Sequence, residues 1–134
     1  MHVGTRNLQI DYDEDSDTLY LHSASESAAC SMVFGNVVLD YAKDGTAVGL
    51  EFLNATKTIA PLLVVCPKDF CENQEVKREW LKKISKASVS VHTQADFLVI
   101  SFTLQFEQQE LRGSLGVPAA ASKQLEKALA LNRA

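Results

Sequence analysis

The apolar positions of this chain recur mostly with a period of two. Leu8, Ile10 and Tyr12 alternate with Gln9 and Asp11, the spacing of a strand buried on one face. Asp13-Glu14-Asp15-Ser16-Asp17 then breaks the pattern with turn-forming, mutually repelling side chains. Leu19 and Leu21 alternate with Thr18, Tyr20 and His22, so residues 8–22 are predicted to form a hairpin. Residues 23–29 are small and polar and read as a loop. The segment 32–41 carries the apolar run Val37-Val38-Leu39, and Asp44-Gly45 separates it from Val48-Gly49-Leu50-Glu51-Phe52-Leu53. Asp-Gly between two apolar runs is a strong hairpin signal, because glycine takes a positive φ without steric cost.

The pattern then changes. Asn54 is placed to cap a short helix over 55–60, and Pro61 limits it, lacking an N–H and crowding the preceding turn. Residues 62–66 are too short a run to separate a buried strand from an apolar connection. Asp69-Phe70-Cys71-Glu72 resembles a capping box, and Val76, Trp80, Leu81 and Ile84 form one apolar stripe of a helix opened by it. The other face of that helix carries Lys77, Arg78, Glu79, Lys82 and Lys83, read as a solvated surface. Strand spacing returns at Val89 and Val91, and after a turn at 93–96 a long strand is predicted over 97–106. Leu98, Ile100, Phe102, Leu104 and Phe106 share one face of it, and Phe97 and Val99 add apolar surface to the other. That suits a central strand or a subunit contact. Leu111, Leu115 and Val117 predict a further strand, and Pro118 is placed to open a helix to about Leu131.

These elements predict an α+β fold of antiparallel β-meanders covered by two or three helices. The expected core is Leu19, Leu21, Val37, Leu39, Trp80, Leu81, Leu98, Ile100, Phe102 and Leu125. The halves also resemble each other. Asp17-Thr18-Leu19-Tyr20-Leu21-His22 matches Asp96-Phe97-Leu98-Val99-Ile100-Ser101 in pattern, Ile10 and Tyr12 fall where Val89 and Val91 fall, and Ala55-Thr56-Lys57-Thr58-Ile59 matches Ala121-Ser122-Lys123-Gln124-Leu125. The expectation is one compact fold of two units: residues 1–66, a meander plus helix, and residues 67–134, a helix plus a degenerate second copy.

Composition narrows the function more than the fold. With 134 residues, 46% of them hydrophobic and 22% charged, the chain reads as an ordinary globular domain that needs no metal or disulfide staple. A net charge of −4 argues against nucleic-acid and anionic-membrane partners, which favour basic patches. The most apolar window, residues 59–66, falls far short of the ~18 residues of a membrane span. Met1-His2-Val3-Gly4-Thr5-Arg6 has no apolar leader character, so Cys30, Cys66 and Cys71 are expected to be reduced thiols in a cytoplasmic protein.

Several residues invite chemistry and fall short of it. Asp11-x-Asp13-x-Asp15-Ser16-Asp17 suggests a calcium loop, yet a helix–loop–helix site needs glycine sixth and a bidentate glutamate twelfth. Counting from Asp11, those positions hold Ser16 and His22. Cys66 and Cys71 lack the second Cys or His pair of a tetrahedral zinc site. His22 and His92 occupy similar outward points on predicted strands, and Asp40 and Glu51 are expected to face each other across the Asp44-Gly45 hairpin. Neither G-x-G-x-x-G nor G-x-x-x-x-G-K occurs, so no phosphate-binding loop or cofactor is expected.

One longer pattern is distinctive. Tyr12-Asp13…Asp17-Thr18-Leu19-Tyr20-Leu21, followed by Val38-Leu39-Asp40-Tyr41…Asp44-Gly45…Val48-Gly49-Leu50-Glu51-Phe52-Leu53-Asn54-Ala55-Thr56, resembles the prokaryotic family called domain of unknown function 2283. The resemblance covers about residues 8–60. Ala42 stands where that family has an acidic residue, and the loop from Ser23 to Met32 is unusual for it. The resemblance implies a small β-meander with a helix and no established activity. It also makes an antitoxin-like partner role conceivable. The leading expectation is an uncharacterised, non-enzymatic interaction or self-association module, with a homo-oligomer or a protein partner. The alternative is a small-ligand- or metal-dependent enzyme that uses the acidic turn, Asp13 and Asp17, together with His22.

Overall fold

The computed structural model describes residues 4–66 and 69–118. Eleven strands run in chain order: β1 (Gly4–Asp13), β2 (Thr18–His22), β3 (Cys30–Phe34), β4 (Val37–Tyr41), β5 (Ala47–Phe52), β6 (Leu63–Val65), β7 (Cys71–Glu72), β8 (Glu75–Val76), β9 (Lys86–Gln94), β10 (Phe97–Phe106) and β11 (Gln109–Pro118). Two short helices accompany them, α1 (Ala55–Ile59) and α2 (Arg78–Leu81), with a 3-10 turn over Ala60–Leu62. The described molecule is therefore mainly β, and the expected cover of two or three helices is not what it has. Pro118, expected to open a helix, instead ends β11 opposite Phe97, and the rest of that predicted helix, with Leu125, lies outside the described residues.

Nine strands form one antiparallel sheet in the order β3-β4-β5-β2-β1-β9-β10-β11-β6, and β7 and β8 pair separately. Strand β1 joins the halves: residues 9–13 pair with β2, and residues 4–8 pair with β9. The sheet curls so that the buried faces of its halves meet. Phe52 of β5 meets Phe102 of β10 edge-on, with ring centroids 5.0 Å apart. Leu19, Leu21, Leu39, Leu50 and Phe52 from one half and Leu98, Ile100, Phe102 and Leu104 from the other are buried in one core. The expected core residues are buried where described, except that Trp80 is half-buried.

The largest departure is at 69–84, where one helix was predicted. Asn73 (φ +54°) and Gln74 (φ +64°) take the two left-handed positions of a tight hairpin turn, so Cys71–Glu72 and Glu75–Val76 pair as β7 and β8. Phe70 is fully buried and stacks on Trp80 with centroids 4.3 Å apart, and it also packs on Phe106 at 4.8 Å. Of the apolar residues read as one helical stripe, Val76 thus lies in the hairpin, Trp80 and Leu81 in the single turn of α2, and Ile84 between α2 and β9. A second departure is β3. Gly35 (φ +61°) turns the chain between Phe34 and Val37, and the segment read as one strand is two.

Candidate functional site

In the acidic turn residues 13–16 are exposed, and Asp17 alone is half-buried and turned toward the protein. Asp17 sits at φ +53° and accepts hydrogen bonds from the Tyr12 hydroxyl at 2.7 Å, the Thr56 hydroxyl at 2.7 Å and the Thr56 N–H at 3.3 Å. Its carbonyl accepts from the Ala55 N–H at 2.7 Å. Asp17 therefore caps α1 from the start of the neighbouring strand β2. Asn54, read as the cap, lies at φ +50° and makes no side-chain capping bond. Burial and then the Asp17 carboxylate push the Tyr12 phenol well above its ordinary range.

The rest of the turn is held locally or by α2. Asp13 accepts from the Asp15 N–H at 3.1 Å, Glu14 pairs with Lys82 at 2.9 Å, and Arg78 donates to the Glu14 carbonyl at 3.4 Å. The basic residues of α2 read as a solvated face thus partly balance the acidic turn. His22 stands at the far end of β2, five residues or roughly 16 Å from Asp17 by strand rise. The structure does not bring Asp13, Asp17 and His22 together. His92 does not join them either: Val91 pairs with Gly4 and His22 with Gln9, which spaces the two histidines by roughly 16 Å or more along β1.

Strands β2, β4 and β3 assemble a second polar group on the outer sheet face. Asp40 lies opposite Gly49 and not Glu51, which pairs with Val38, so the expected acidic pair does not form directly across the hairpin. The Asp40 side chain folds over Gly49, where an added Cβ would come within 2.8 Å of its carboxylate. It accepts from the Tyr20 hydroxyl at 3.2 Å and from the Ser31 hydroxyl. Burial and then Asp40 raise the Tyr20 phenol, and its ring stacks on His22 at 4.8 Å. The group fixes three strands against one another and lies on an open face.

Two further places carry reactive or aromatic groups. A cleft of about 340 Å³ is lined by Trp80, Lys83, Phe106, Glu107, Gln108 and Gln109, with the Lys83 ammonium 5.4 Å above the Trp80 ring. Cys66 and Cys71 bring their sulfurs to 3.5 Å. Sequence spacing gave no sign of that contact. Among the described residues, no group of three or more His, Cys, Asp or Glu is arranged to hold a metal ion, and no helix is long and apolar enough to cross a membrane.

The outer edge of β3 has a different character. Cys30-Ser31-Met32-Val33-Phe34 contains no charge and no proline, ends the nine-stranded sheet and leaves Val33 67% exposed. The opposite edge, β6, is only three residues long and pairs with a register shift. Sequence reading missed β3 as a strand of its own, although Gly35-Asn36 between apolar neighbours was the available signal.

Part of the chain is similar to a known family. Residues 9–55 match the family described as "Protein of unknown function (DUF2283)". An uncharacterized protein of Methanocaldococcus jannaschii is 28% identical over 85 residues, covering 63% of this chain and 69% of its own length. No solved structure matches the chain. The matched segment runs from β1 to the start of α1, and so contains Tyr12, Asp17, Asp40, Asp44, Gly45 and Gly49. Asp44 accepts from the Thr46 N–H at 2.9 Å beside Gly45 at φ +90°. The residues that carry the resemblance therefore make turns, a helix cap and cross-strand ties.

Proposed function

We propose that the chain is a non-enzymatic interaction module that self-associates by pairing β3 with β3 of a second copy. The observation that carries this reading is the outer edge of β3, which no other described strand pairs. An edge strand offers unpaired N–H and C=O groups, and natural sheets blunt such edges with charge, proline, short length or bulges. β3 has none of the first three, and its outward Val33 supplies apolar area beside that edge. Antiparallel pairing of two identical strands about a two-fold near Met32 satisfies both edges at once and closes the assembly. The polar groups of the molecule favour this reading over catalysis, because Asp17 and Asp40 have their carboxylates engaged in holding strands and a helix.

The test is light scattering on the full chain at high micromolar concentration. Wild-type protein is expected to be dimeric and the Val33→Lys variant monomeric with an unchanged far-ultraviolet spectrum, since Val33 is exposed. A monomeric wild type, or a dimer indifferent to the lysine, contradicts the proposal.

We further propose that the molecule consists of two related units. Strand order supports this reading: moving outward from the central β1–β9 pair, β2 then β5 lie on one side, and β10 then β11 on the other. Leu19 and Leu21 face Tyr12 and Ile10, as Leu98 and Ile100 face Thr93 and Val91. That register aligns Ile10 with Val91, two residues from the alignment read in the sequence.

A further inference from the structure

Three cysteines occur in the chain, and two of them are held together by elements that are anchored separately. Cys66 follows β6, whose Val65 pairs with Arg112 of β11. Cys71 opens β7, pairs with Val76 and follows Phe70, which is fully buried. The sulfurs lie 3.5 Å apart, with Cys66 exposed and Cys71 half-buried. A disulfide needs about 2 Å between its sulfurs, so closure requires a movement of about 1.5 Å, within reach of side-chain rotation. Cys30 is on β3, opposite Tyr41, and belongs to neither element.

We propose that Cys66 and Cys71 form a thiol–disulfide exchange site for low-molecular-weight disulfides. The exposed Cys66 thiolate attacks one sulfur of RSSR, forming a Cys66–S–S–R mixed disulfide and releasing RS⁻. Cys71 then loses its proton and its sulfur attacks Cys66, which breaks the mixed disulfide and releases the second RS⁻. Both leaving groups take up protons, so two protein thiols are oxidised and one RSSR is reduced to two RSH. Burial pushes the Cys71 thiol up to about 11, which makes Cys71 the resolving thiol and closure the base-dependent step. The bond joins the end of the exposed β6 edge to the β7–β8 hairpin.

The experiment incubates the full chain with mixtures of reduced and oxidised glutathione, quenches with acid and measures intact and peptide masses. The expected product is lighter than the reduced protein by two hydrogens and links Cys66 to Cys71. Cys30 should remain alkylatable, closure should accelerate as pH rises, and excess reduced glutathione should reverse the reaction. Cys71→Ser should stop at the mixed disulfide on Cys66. Cys66→Ser, at an exposed position that leaves the fold intact, should take up glutathione far more slowly than wild type. Wild-type protein that stops at a mixed disulfide, or that links Cys30 instead, overturns the proposal.

Discussion

Asp17 serves two needs at one position. Its positive φ ends the acidic turn, and its carboxylate then faces Tyr12 and Thr56. The hydrogen bond from Tyr12 has a consequence at high pH. The folded phenol holds its proton beyond the ordinary range, first through burial and then through Asp17. The unfolded phenol ionises near pH 10. Stability from this group is therefore fully present below about pH 10 and declines above it, as the unfolded state loses its proton first. Tyr41, pushed up to about 12 by burial and by Cys30, and Tyr20, also raised, add to the same decline. Tyr12→Phe is expected to cost about 1.5–3 kcal/mol at neutral pH, the range for a hydrogen bond to a charged group. It should also flatten the fall above pH 10. Urea unfolding across pH checks both effects, and an unchanged alkaline slope would contradict the assignment. The sequence showed Asn54 as the local cap and could not show Asp17, because that partner reaches α1 from 39 residues away.

At the scale of elements, period-two alternation was a reliable guide and short apolar runs were not. β1, β2, β9, β10 and β11 all fall where Leu8, Leu19, Val89, Leu98 and Leu111 set the alternation. Between 69 and 84 the apolar spacing fits both a helix and a hairpin followed by a turn, and the buried position of Phe70 decides for the second. One glycine shows how closely two strands are matched. Gly113 of β11 lies opposite Phe102 of β10, and a Cβ there would come within 2.3 Å of the ring. Gly113→Ala is expected to destabilise by about 1–3 kcal/mol through overpacking. Placing it on Phe102→Leu should recover part of that loss relative to Phe102→Leu alone. A Gly113→Ala variant as stable as wild type would show that the ring has room to move.

Most of the described molecule is one curled nine-stranded sheet in which β1 serves both halves and Phe52 meets Phe102 across the core. Alternation along the chain revealed which faces are buried, but not that the two buried faces meet each other. The expected helical cover over the meanders follows from that omission, since a curled sheet covers much of its own core. The candidate site was legible only as a list of polar residues. Their roles came from contacts between distant segments, such as Asp40 folded over Gly49 and Asp17 beneath α1. These polar residues are structural, and Asp17 holds the most hydrogen bonds of them. The most direct measurement is urea unfolding of Asp17→Ala and Asp17→Asn. The alanine variant loses the helix cap and both hydroxyl partners, and is expected to be less stable by about 2–4 kcal/mol. Asparagine keeps an acceptor oxygen and tolerates the positive φ, so it should lose less than alanine. An alanine variant within about 0.5 kcal/mol of wild type, the value of an ordinary surface change, would contradict a structural role for Asp17.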